Sequence, residues 1–172
     1  MRHFILLLCF ICSSMIAQTN QDYSEHVTSL NSTLETLYSV ISGEKGEARD
    51  WEKFKYLFHP DAKLIPTGAS ENGLINANFM TTDDYVELAG KWLVDNGFHE
   101  VEIHRTTNTF GSVTQVFSTY ESYKSKYDKE PFARGINSIQ LLNDGKRWWV
   151  INIYWQQETA DLPIPAEYLP KG

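Results

Sequence analysis

Thiols, basic charge and long apolar runs are all scarce in this chain, and each shortage closes off a class of function. Its 172 residues hold two cysteines, Cys9 and Cys12, both near the N-terminus. The rest of the chain therefore offers no thiol nucleophile, no disulfide and no cysteine-based zinc site. Lys and Arg number 15 against 22 Asp and Glu, a formal charge of −7. That balance excludes nucleic acid and anionic lipid as natural partners. The apolar run from Phe4 to Ile11 is too short for a bilayer, which takes about 20 residues of helix. His26, His59, His99 and His104 are scattered, with no helical pair bracketing an acid, so no metal is expected. Gly43-Glu44-Lys45-Gly46 lacks the phosphate-loop pattern, and no Gly-x-Ser-x-Gly elbow marks a serine hydrolase.

What is present begins with Met1-Arg2-His3, the short apolar run, and small residues up to Ala17. That is the order of a secretory signal, with cleavage expected after Ala17. The chain then divides into a signal segment at 1–17, a polar leader at 18–24, a single domain at 25–160 and a Pro-rich extended tail at 161–172. The mature protein is expected to be exported, periplasmic or secreted, without a membrane span. Cleavage removes Arg2 and no acid, which moves the charge from −7 to −8.

Within the domain, Val27, Leu30, Leu34, Leu37, Tyr38 and Ile41 form one stripe of an amphipathic helix that Gly43 stops. Asp50 caps a second, short helix with Trp51, Phe54, Leu57 and Phe58 inward; His59-Pro60-Asp61 ends it, and Ala62 to Pro66 is a short strand. Residues 67–80 read as a loop over a site. Thr81 and Asp84 have capping-box spacing for a third helix, which Gly97 ends. Everything after Gly97 is strand-like: 99–109, 112–123, then a long hairpin turning at Asn143-Asp144-Gly145-Lys146. Helices followed by a strand meander give an α+β class.

With Asn143 opposite Lys146, Leu141 faces Trp148, Ile139 faces Val150, Asn137 faces Asn152 and Gly135 faces Tyr154. That face is apolar near the turn and polar at its far end, as a pocket wall needs. The other face carries Trp149 and Trp155 among apolar neighbours. In the first hairpin, Val101, Ile103, Arg105, Val116, Ser118 and Tyr120 read as the core side, with Glu102, His104 and Glu121 opposite. Arg105 there needs a carboxylate or a bound anion.

Leu37-Tyr38-Ser39-Val40-Ile41-Ser42-Gly43, Ala48-Arg49-Asp50-Trp51, Leu57-Phe58-His59-Pro60-Asp61-Ala62, Val116-Phe117-Ser118-Thr119-Tyr120-Glu121 and Arg134 to Leu141, followed by Asp144 to Trp149, together resemble the nuclear transport factor 2-like superfamily. The resemblance spans 27–158 and is nearest to the exported bacterial branch related to SnoaL-like and ketosteroid-isomerase-like proteins. It implies a cone: a curved mixed β-sheet wrapped around three N-terminal helices, with an apolar cavity and a homodimer through the outer face of the sheet. It implies isomerase, dehydratase or cyclase activity in some members, ligand binding or protein interaction in others, and no cofactor. The isomerase carboxylate and its oxyanion donors do not align here residue by residue.

The leading reading is an exported domain that binds a small apolar or amphipathic molecule. Asn137, Asn152, Tyr154, Arg105 and Trp148 are the candidate ligand contacts; Asn137, Asn152 and Tyr154 read equally as a buried polar set fixing register. An enzyme in the same cavity would use Glu121 or His104 as base, with Tyr38 or Tyr154 as donor. Against these stand plainer roles: Glu121 as a strand-end acid or partner of Arg105 or Arg134, His104 as a surface or dimer-contact imidazole, Tyr38 as core. A third reading is an interaction module docking through Trp149 and Trp155.

Overall fold

The structure is a computed structural model that describes residues 21–70 and 72–171. The expected signal segment and the start of the leader lie outside the described residues. A 3-10 turn at Ser24–Val27 leads into helix α1, Leu30–Ile41. Ser29 and Ser32 close a reciprocal capping box at its start, with both bonds at 3.1 Å. Helix α2, Trp51–Tyr56, is capped by Asp50, which accepts from the Lys53 amide at 2.9 Å. Helix α3, Thr82–Asn96, starts at the Thr81/Asp84 capping box and stops at Gly97, whose φ of 73° suits a residue without Cβ.

Strands β1 (Phe58–Ala69), β2 (Ile75–Ala77), β3 (His99–Phe110), β4 (Val113–Tyr123), β5 (Ala133–Asn143) and β6 (Trp148–Gln157) form one sheet. The order is β2-β1-β6-β5-β4-β3, antiparallel except where β1 runs parallel to β6. The α+β class and the curved mixed sheet around three helices are as expected. Leu34, Leu37 and Ile41 of α1 and Phe54 of α2 pack with Val116, Ile139, Leu141, Val150 and Ile153 of the concave face.

Three register breaks curl the sheet: between Phe58 and Lys63 in β1, at Ile103 in β3, and in β6 opposite Gln140 and Leu141. The structure corrects the sequence reading in four places. The first strand spans all of Phe58–Ala69 rather than Ala62 to Pro66, because the break absorbs Pro60, which cannot donate to a ladder. Part of 67–80 is a strand arm, Thr67 to Ala69 against Ile75 to Ala77, rather than a loop. In the last hairpin Asn143 faces Trp148, not Lys146, because Asp144 folds the turn back through the amides of Lys146 and Arg147, each at 2.8 Å. Leu141 therefore meets Val150, and beyond the extra residue Ile151, Asn137 meets Trp155 and Gly135 meets Gln157. The offset beyond the bulge is odd, so Asn152 and Tyr154 turn to the convex face and Trp155 turns inward. In β3 the extra residue Ile103 places Glu102 with Arg105 on the concave side, opposite Tyr120 and Ser118, while Val101 faces out.

The tail crosses the convex face with one 3-10 turn, Ala166–Tyr168. Thr119 Oγ1 donates to the Tyr168 carbonyl at 2.6 Å, and the Phe117 and Tyr168 rings meet edge to face.

Arg49 ties the helical layer together. It is 7% exposed, and its guanidinium donates to the carbonyls of Ile41 (2.9 Å), Gly43 (2.6 Å) and Leu93 (3.2 Å), and to that of Glu47. The ends of α1 and α3 thus share one cation, which suits the negative end of a helix. Gly43 leaves the room: a Cβ there would collide with the guanidinium. Arg49→Met is expected to strand these buried carbonyls and lower stability by about 3 kcal/mol. Urea unfolding with an unchanged m-value checks this; a loss below about 0.5 kcal/mol contradicts it.

Candidate functional site

Between α1, α3 and the concave face of β3 to β6 lies a pocket of about 270 Å³. Its walls are apolar: Leu37 and Ile41 from α1, Phe54 from α2, Leu64 from β1 and Ile153 from β6. Trp92 and Phe132, each nearly half exposed, pack edge to face with each other and with Phe98 at its rim. The polar groups facing in are Glu100, Asn137, Ser122, Gln157 and the tyrosines Tyr38, Tyr85 and Tyr120.

Among the described residues Glu100 is the one carboxyl in this lining, and sequence reasoning missed it. Opposite Ser122 on β4, its side chain enters the concave side two residues before Glu102. Asn137 Nδ2 reaches its Oε1 at 3.4 Å and Ser122 Oγ its Oε2 at 3.3 Å. Both bonds are long and neutral, so they recover little of the hydration the carboxylate gives up. Burial accordingly pushes the Glu100 carboxyl up to about 7, against the smaller downward pull of Asn137 and Ser122. Burial also raises Tyr38, Tyr85 and Tyr120 well above the ordinary phenol range, with the Glu100 charge adding to each. All three stay hydroxyl donors at neutral pH.

A hydrogen-bonded chain runs from Glu100 through β5, α1 and β4 and returns to Glu102 and Arg105 on the same edge strand, β3. Asn137 Nδ2 also donates to Tyr38 Oη at 3.1 Å. Tyr38 Oη lies 2.6 Å from Ser118 Oγ, and Ser118 donates to Glu102 Oε1 at 2.5 Å. Since Ser118 gives its single proton to Glu102, the Tyr38 hydroxyl must donate to Ser118. Arg105 Nε closes the chain on Glu102 Oε2 at 2.8 Å, and its Nη1 reaches Asn31 at 3.0 Å.

Of the residues singled out from the sequence, the pocket brings together Tyr38 and Asn137. Arg105 faces the concave side but is occupied by Glu102. Glu121 lies on the opposite face, accepting from Tyr123 at 2.6 Å and 4.0 Å from Arg134. His104 faces that side too, opposite Thr119. Asn152 and Tyr154 are convex, Tyr154 at 47% exposure, and Trp148 packs on the core away from the pocket. The odd residue at Ile151 turns Asn152 and Tyr154 away from the pocket, while Glu121 and His104 lie on the face away from the core that the sequence assigned them. The signal for Glu100 was its spacing from Glu102, two acids on one strand face, which the bulge made hard to orient. Among the described residues no group of three or more His, Cys, Asp or Glu is placed to hold a metal.

No protein-family model matches the chain, and no curated protein matches it in sequence. Solved structures do. An NTF-2-like protein of unknown function from Silicibacter pomeroyi is similar at 12% identity and a TM-score of 0.56, over 80% of this chain and all of that one. An NTF2-like protein from Cytophaga hutchinsonii gives 12% and 0.53, over 73% of this chain and 93% of that one. A protein of unknown function with a cystatin-like fold from Nostoc punctiforme gives 11% and 0.55, over 74% and 87%. The chain has the nuclear transport factor 2-like fold. In that fold the pocket occupies the space between sheet and helices, and among the described residues no helix is long and apolar enough to cross a membrane.

Glu100 gives this fold a pH-dependent stability. Unfolded, it titrates near 4.5; folded, at about 7. Between those values the native state keeps a proton that the unfolded chain has shed. The stabilising contribution is complete below about 4.5 and is lost as pH rises through about 7. Relative to Glu100→Gln, the unaltered protein is expected to lose up to about 3 kcal/mol from about pH 4.5 to about pH 8. Parallel stability curves for the two proteins across that range would contradict this.

Proposed function

We propose that the chain binds a small apolar or amphipathic molecule in this pocket, with its apolar body against the aliphatic and aromatic walls and a polar head at Glu100 and Asn137. The observation that supports this most is a single carboxyl in a lining that is otherwise hydrocarbon, aromatic ring and neutral polar group. Space of about 270 Å³ suits a molecule of roughly ten non-hydrogen atoms, at the ~30 Å³ a water-sized unit fills in a liquid. Trp92 and Trp155 line the pocket and report its occupancy by fluorescence. Titration with phenylbutanol and phenylbutylamine is expected to give a saturable change that Ala89→Trp, which fills the pocket from α3, removes. Binding of neither compound, or binding indifferent to Ala89→Trp, overturns the reading.

A second reading, catalysis of isomerase, dehydratase or cyclase type, is favoured by one observation. A carboxyl near 7 beside hydroxyls that stay protonated is matched to proton transfer at neutral pH. Glu100 would take the proton and Tyr120 or Tyr85 would donate to the developing oxyanion. That role fails if a substrate is turned over with the same pH–rate profile in Glu100→Gln.

Export after cleavage at Ala17 belongs to the same proposal, as does a homodimer through the sheet. The tail covers the convex face around Phe117 and Thr119, so such a dimer would use the barer region near Ile75, Tyr154 and Leu162.

A further inference from the structure

The pocket's charge is one-sided. Among the described residues its lining contains one carboxyl and no Lys, Arg or His. The nearest cation along the polar chain, Arg105, is committed to Glu102 and Asn31. His99, next to Glu100 in the chain, points to the other side of the strand and sits 3.2 Å from Glu44. Eight of the nineteen lining residues are aromatic. Ring faces attract a cation held within about 6 Å, and tryptophan and tyrosine do so best. A partly buried carboxylate among such rings, held among the described residues by two long neutral hydrogen bonds, lacks the one thing that would balance it.

We infer that the natural ligand of this pocket is a hydrophobic amine, bound as its cation, with the ammonium against Glu100 and its hydrocarbon among the rings of Trp92, Phe98 and Trp155. The inference rests on the small-molecule reading above and names the ligand's charge. A carboxylate ligand would face Glu100 as a like charge. A neutral ligand leaves the carboxylate uncompensated and is best received when Glu100 is protonated. An ammonium supplies the missing counter-charge and up to three donors, matching the carboxylate oxygens and the Asn137 carbonyl oxygen.

The charge pairing makes binding depend on pH. The groups facing Glu100 are Tyr38 from α1, Tyr85 from α3, Tyr120 and Ser122 from β4, Asn137 from β5, and Glu102, already paired, on β3 itself. None of the tyrosines ionises near neutrality. Glu100 is therefore the group that loses a proton as the cation enters, and amine affinity rises as pH climbs through its titration.

The test is a fluorescence titration with phenylbutylamine, phenylbutanol and phenylbutyrate, which share one hydrocarbon body and differ in head-group charge. At about pH 8 the amine is expected to bind at least about tenfold tighter than the alcohol, with the acid weakest. Between about pH 6 and about pH 8 the amine is expected to gain about tenfold while the alcohol gains nothing. Glu100→Gln should erase the amine's advantage, and Glu121→Gln, the same charge change outside the pocket, should keep it. Circular dichroism melts establish that both variants fold, and the pH series on the unaltered protein stands without either. Equal affinity for amine and alcohol, or an amine preference that survives Glu100→Gln, overturns the inference and leaves the small-molecule reading standing. Binding of none of the three overturns both.

Discussion

A carboxyl placed inside an apolar pocket is the constraint around which the rest of this structure is arranged. Moving an unpaired carboxylate out of water costs several kcal/mol, and neutral donors at 3.3 and 3.4 Å return only part of it. The protein responds in two ways. Glu100 keeps its proton to higher pH, and the surrounding polar groups are fixed in one orientation by the chain through Asn137, Tyr38, Ser118, Glu102 and Arg105. Tyr38 spans the gap from helix to sheet, so the same hydrogen bonds that orient the pocket also register α1 on the strands. The site and the fold therefore share their parts.

The bulges connect local backbone to chemistry. Ile103 breaks the alternation of β3, which lets Glu100 and Glu102 share a side with Arg105. Ile151 does the same in β6 and brings Trp155 to the pocket while sending Tyr154 out. Gly135 completes the arrangement: opposite Gln157, it lets the Tyr120 ring lie over β5, where a Cβ would stand 2.5 Å from the Gln156 carbonyl. A sheet without these irregularities would be flatter, and its polar residues would fall on the wrong face.

Much of the architecture was legible in the residues themselves. The stripe from Leu30 to Ile41, the Asp50 cap, the Thr81/Asp84 box and the stop at Gly97 all sit where short-range physics puts them, because caps and periodicity act within one or two turns. The site was harder to read. Tyr38 and Asn137 were recognisable as polar residues on apolar elements. Glu100 was not, since its orientation depends on a single inserted residue downstream, and β-bulges carry no composition signal of their own. The same blindness moved Asn152 and Tyr154 to the wrong side, because one odd residue inverts every later position in a strand. Glu121 and His104 drew notice as titratable groups in a strand, and strand alternation alone had already placed both on the face away from the core.

The claim on which the account turns is that Glu100 sits poorly hydrated and without a cation in the empty protein. Its side-chain carboxyl carbon, followed by nuclear magnetic resonance across the acid-to-neutral range and assigned by its absence in Glu100→Gln, measures this directly. A midpoint at about 7 is the expected result. A midpoint near 4.5, the value of a solvated glutamate, would contradict it.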